Sequence, residues 1–132
     1  MKTIPSLLAA LCIAASIPVA LTACTDDGAC AGDSCVCTAE SDCARTCGSG
    51  ADCNVACNGA PSCDVTCTAA ASCDVNCATS DRCTVACPDS GCSVACPATG
   101  CVVDNCPDPS TCTVTCGGGG VATYDGTNAT CP

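Results

Sequence analysis

The chain has no histidine, tryptophan or phenylalanine and a single tyrosine, Tyr124. Without histidine, a serine-type relay lacks its usual base. Basic residues are almost as scarce: Lys2, Arg45 and Arg82 face thirteen carboxylates, giving a formal charge of −10. Such a surface has no basic patch with which to neutralise a phosphate backbone or an anionic headgroup, so no nucleic-acid partner is expected. The acidity itself reads as solubility. Beyond Ala23 there is also no Leu, Ile, Met, Lys or Gln, which leaves ten valines and Tyr124 as the only sizeable apolar side chains. Burying all ten valines would contribute roughly 15 to 30 kcal/mol. Ordering about a hundred residues costs on the order of 100 kcal/mol. A conventional hydrophobic core is therefore excluded.

What the chain has instead is cysteine, 22 in all. At about 2 to 4 kcal/mol each, ten disulfides would rival the whole valine core. Small secreted domains with poor cores use this solution. After Cys30, Cys35 and Cys37 the cysteines come in pairs: Cys43 and Cys47, Cys53 and Cys57, Cys63 and Cys67, Cys73 and Cys77, Cys83 and Cys87, Cys92 and Cys96, Cys101 and Cys106, Cys112 and Cys116. Cys131 closes the series. Three residues separate the members of a pair in seven of the eight units, and four do so in "CVVDNC". The gaps between pairs are four or five residues long and hold every glycine from Gly48 to Gly100, together with Pro61, Pro88, Pro97, Pro107 and Pro109.

The centre of each three-residue unit is valine (Val55, Val65, Val75, Val85, Val94, Val114) except for Arg45. Alternation along Cys-x-Val-x-Cys puts both cysteines and the valine on one side of a short extended segment. A period near ten residues, repeated this often, predicts a solenoid whose core forms only by stacking. Arg45 then suits an atypical first coil. The expected class is all-β or irregular, a small disulfide-rich β-solenoid of ten-residue repeats. Eight coils spaced at about 4.8 Å would make a rod roughly 40 Å long. Cysteines four apart on an extended strand lie about 13 Å from each other, beyond the roughly 4.4 to 6.8 Å between bridged α-carbons. A flattened ten-residue coil would bring the two members of a pair, such as Cys63 and Cys67, face to face, and that arrangement is favoured. A twenty-residue coil, with pairs facing each other across two sheets, and bonds across a gap, such as Cys67 to Cys73, remain open.

The amino terminus has Lys2, an apolar run and small residues before Cys24, which is the pattern of a secretory signal peptide. Leu21, Thr22, Ala23 and Cys24 resemble the lipobox of bacterial lipoproteins. That resemblance implies cleavage before Cys24, a lipid on its sulfur and an acylated amino group. Ordinary cleavage after Ala23 or Ala20 would put Leu21 or Pro18 at the third position back, where a small residue is expected. Parity agrees, because losing Cys12 with the peptide and assigning Cys24 to lipid leaves 20 cysteines that can pair completely. The expected organisation is a signal peptide (1–23), a lipidated tether with a cysteine-rich segment (24–42), the repeat solenoid (43–116) and a glycine-rich tail (117–132) in which the run 117–120 is a flexible break.

Other chemistries fit less well. Thiolate metal binding is the main rival for so many cysteines, but Cys-x-x-Cys is absent and only Cys35 and Cys37 form Cys-x-Cys. No metal or other cofactor is expected. A reactive thiol needs a cationic neighbour, and Arg45 and Arg82 read as surface residues. Asp26, Asp27, Asp33 and Glu40 lack EF-hand spacing and read as an acidic tether. The sequon at Asn128 reads as incidental. In period and cysteine density the repeat resembles the disulfide-braced solenoids of some insect antifreeze proteins, which present a flat Thr or Tyr ladder to ice. Ala44, Asn54, Asp64, Asp74, Thr84, Ser93, Val102 and Thr113 form no such ladder. The expectation is a noncatalytic bacterial envelope protein, lipid-anchored to a membrane at the outer membrane or cell surface and structural or adhesive in role. The alternative is a metal-sequestering or thiol-based stress protein.

Overall fold

A computed structural model describes residues 29–30 and 34–132. The expected signal peptide, Cys24, Asp26, Asp27 and Asp33 lie outside the described residues. Every regular element described is a strand. One sheet stacks β1 (Ala29–Cys30), β3 (Cys43–Cys47), β5 (Cys63–Thr66), β7 (Cys83–Ala86) and β9 (Cys101–Asp104) in parallel. It ends on two antiparallel strands, β12 (Ala129–Cys131) and β11 (Thr123–Tyr124). The other sheet stacks β2 (Ser34–Val36), β4 (Asp52–Ala56), β6 (Ser72–Asn76), β8 (Ser93–Ala95) and β10 (Thr113–Thr115), all parallel.

Successive Cys-x-Val-x-Cys units therefore fall on alternate sheets, and a full turn takes two of them. Cys43 lies beside Cys63, and Cys63 beside Cys83, twenty residues on each time. This corrects the expected ten-residue coil: the chain is a β-solenoid of about four turns, and its five parallel layers span roughly 20 Å rather than 40 Å. The cause is local. An extended unit cannot bend back on itself, whereas the gap that follows can. In the gap after Cys57, Asn58 and Gly59 both take positive φ (41° and 77°) and the Ala60 N–H donates to the Cys57 carbonyl, which makes a tight reversal.

Shorter gaps alter the register. With four residues between Cys87 and Cys92 the partner spacing falls to nineteen, Asp74 lying beside Ser93. In that gap the turn ends on Gly91 at φ 91°, where a Cβ would collide with the Thr111 carbonyl oxygen. The extra residue of "CVVDNC" is absorbed by Asn105, at φ 58°, whose side-chain amide donates to the Cys87 carbonyl and to Asp89.

The interior holds cysteine at both edges and one small apolar column per sheet. Val65, Val85 and Val103 line one sheet and Val55, Val75 and Val94 the other, all buried. Small residues at the turns, Ala60, Ala70 and Ser80, are buried too. Backbone hydrogen bonding runs on into the corners: the amides of Cys57, Cys67, Cys77 and Cys96 each donate to a carbonyl of the next turn. The tail departs from the expected flexible break. A Cβ on Gly117 would lie 2.5 Å from the Cys96 carbonyl oxygen, so the run is packed at its start. The residues after it return as the β11–β12 hairpin, whose β12 pairs with β9.

Candidate functional site

Two features of the described chain carry chemistry: the sulfur columns and the outward rows of side chains. Among the disulfides, one edge of the solenoid carries Cys30–Cys35, Cys47–Cys53, Cys67–Cys73, Cys87–Cys92 and Cys106–Cys112. The opposite edge carries Cys37–Cys43, Cys57–Cys63, Cys77–Cys83, Cys96–Cys101 and Cys116–Cys131. The bonds thus cross the gaps. This corrects the favoured pairing within units: Cys63 joins Cys57, and Cys67 joins Cys73. The strand keeps its members too far apart to bond, and the turn brings the flanking α-carbons to 6.1 Å in both of these rungs.

Consecutive rungs touch. Cys47 Sγ lies 3.4 Å from Cys67 Sγ, and Cys57 Sγ lies 3.4 Å from Cys77 Sγ. Four trios (Cys37, Cys43, Cys63; Cys47, Cys53, Cys67; Cys57, Cys63, Cys77; Cys96, Cys101, Cys131) have all sulfurs within 4.8 Å of one another. Each trio contains one complete disulfide, and metals prefer thiolates to bonded sulfur. Sequence reasoning found every one of these cysteines but not the stacking, which needs the twenty-residue period.

The outward positions sort by sheet. On the β2–β10 sheet Ser34, Asn54, Asp74, Ser93 and Thr113 stand in register, all exposed. On the other face Ala44, Asp64, Thr84, Val102 and Thr130 alternate in character. Reading the repeat as one series mixes these two rows. The first is an unbroken column of small hydrogen-bonding groups that the ten-residue view conceals.

The remaining sequence candidates disperse. Arg45 occupies the inward column beside Val65, not an outer face; its Nη1 donates to the Ala44 carbonyl and its Nε is buried without a partner. Arg82 borders a shallow depression of about 390 Å³ with Thr84, Thr99, Val102 and Thr130. Glu40 is exposed in a turn. Asn128 sits at the end of the β11–β12 turn, where its backbone N–H donates to Asp125. That bond, with one from Thr127, holds the Asp125 carboxyl below the usual aspartate range. The Ser110 hydroxyl and amide do the same for Asp108. No family model matches the chain, and no curated protein or solved structure is significantly similar to it.

Proposed function

We propose that this chain is a noncatalytic structural protein of the bacterial envelope, lipid-anchored through Cys24, whose solenoid acts as a rigid display or adhesive element. The observation that carries the reading is the pair of disulfide columns: ten bonds stacked along the two edges of the solenoid, in a fold with almost no other core. So many disulfides point to an extracellular or otherwise oxidising compartment. A disulfide-rich solenoid suits a scaffold. The reading of an anchor rests on Leu21, Thr22, Ala23 and Cys24, and that of adhesion on the exposed column from Ser34 to Thr113.

Intact mass of the native protein tests the anchor. The expected species begins at Cys24 and carries acyl mass; a mature chain without it overturns the lipid reading. Several acyl chains are needed for stable attachment, so Cys24→Ala is expected to move the protein out of the membrane fraction or leave its leader uncleaved. For adhesion, Asn54→Lys with Ser93→Lys should reduce surface attachment at least several-fold while leaving the thermal midpoint unchanged. Equal attachment would place adhesion elsewhere.

A further inference from the structure

The two sulfur columns admit a second complete bonding pattern. In a parallel solenoid, residues in register on neighbouring turns have α-carbons roughly 4.8 Å apart, which falls inside the range of about 4.4 to 6.8 Å for bridged cysteines. Cys53 lies in register with Cys73, and Cys63 with Cys83. The 3.4 Å contacts from Cys47 to Cys67 and from Cys57 to Cys77 join the other ends of the same rungs. Each pair of neighbouring rungs is thus a compact group of four sulfurs that can be bonded within turns or between them.

We infer that the solenoid is a disulfide-exchange device, in which a small thiol converts within-turn bonds to between-turn bonds without net oxidation or reduction. The sequence balances for Cys47–Cys53 and Cys67–Cys73. A thiolate of the glutathione class attacks Cys73, forming a mixed disulfide and releasing the Cys67 thiolate. That thiolate attacks Cys47 at its contact distance, making Cys47–Cys67 and expelling the Cys53 thiolate. Cys53 then attacks Cys73, making Cys53–Cys73 and returning the small thiol. Two disulfides are consumed and two are formed, and no electrons are gained or lost.

Access to the columns is limited in a way that suits this chemistry. Most of the paired cysteines are buried, but Cys92 on one edge and Cys116 on the other are only half-buried. Each column therefore has one rung that a solution thiol reaches most easily, and the stacked sulfurs beyond it pass the exchange along. The products differ in mechanics. Within-turn bonds close short loops and leave neighbouring turns joined by hydrogen bonds and packing, with no disulfide between them. Between-turn bonds tie the turns covalently along the axis, which would harden the rod against pulling and proteolysis.

A cysteine variant isolates the central step. Cys73→Ser leaves Cys67 as a resident thiol beside Cys47. At pH 8 without added thiol, trapping with an alkylating agent followed by peptide mapping should find the label shared between Cys67 and Cys53, with a Cys47–Cys67 link in the same sample. Label confined to Cys67 after prolonged incubation overturns the inference. Should that variant fail to fold, native protein held anaerobically with substoichiometric glutathione gives the same decision. Cys53–Cys73 or Cys57–Cys77 links appearing at constant total thiol support exchange, and within-turn links alone refute it.

Discussion

Apart from Arg45, the inward side chains of the stacked strands are valine or cysteine, and the corners of the solenoid are narrow. Bridged α-carbons at the corners lie 5.5 to 6.1 Å apart, against roughly 10 Å between ordinary stacked sheets. A column this narrow favours valine over leucine or phenylalanine, neither of which occurs beyond Ala23. Val75 is fully buried, and Val75→Ala should cost about 2 to 3 kcal/mol, read as a lower denaturant midpoint. Arg45 is the opposite case. Its buried Nε has no partner, so Arg45→Val, which extends the column of Val65 and Val85, should raise stability by about 1 kcal/mol in the same measurement. The inward or outward orientation of the repeat residues was legible in the sequence from their alternation. The inward placement of Arg45 was not, because a departure from a pattern reads equally well as a surface position. Two carboxylates add a pH dependence. Asp108 and Asp125 have lowered folded pKa values because hydroxyl or amide donors favour the ionised form. Their stabilisation is fully present above the usual aspartate value of 3.8 and is lost as pH falls through the lower folded values. The thermal midpoint should be level from neutrality to about pH 4 and then decline, and the decline should be shallower in Asp108→Ala.

At the scale of the element, the strand and the turn divide the work: strands supply the stacked sulfurs and valines, and turns decide which cysteines meet. The division between fixed unit and variable gap was legible in the sequence because glycine and proline are confined to the gaps. Connectivity was not. Both pairings leave an even remainder, and the 13 Å span of an extended unit argued against the favoured pairing only if the strand stays extended, which it does. Turn identity has a sharp local test in Gly91. Its positive φ disfavours any L side chain, and a Cβ there runs into the Thr111 backbone. Gly91→Ala should therefore cost more than about 2 kcal/mol, measured by chemical denaturation. Gly50, also at positive φ but with nothing near its Cβ position, should lose only about 1 kcal/mol on the same change.

For the whole molecule, a twenty-residue turn made of two equivalent ten-residue halves explains why the period was visible and the coil length was not. Both sheets place the same Cys-x-Val-x-Cys pattern inward, so the sequence carries no inward mark of which unit belongs to which sheet. That symmetry also makes the molecule's stability collective. A bond between cysteines five or six apart in sequence contributes about 2 kcal/mol in the chain-entropy account, so the two columns together contribute roughly 20 kcal/mol, more than the roughly 5 to 15 kcal/mol net stability of a typical domain. Cys67→Ala with Cys73→Ala, which removes one rung, should lower stability by about 2 kcal/mol and leave the fold intact. Full reduction should not. With every rung open, the six buried valines of the two columns cannot offset the ordering of the chain, and because each turn buries its inner face only against the next, the turns should be lost together. Titration with a phosphine reductant, followed by circular dichroism and amide proton dispersion, is expected to show a single steep loss of β structure near the end of reduction. A fully reduced chain that kept its dispersion would mean that backbone stacking and the valine columns hold the solenoid without its sulfur bonds.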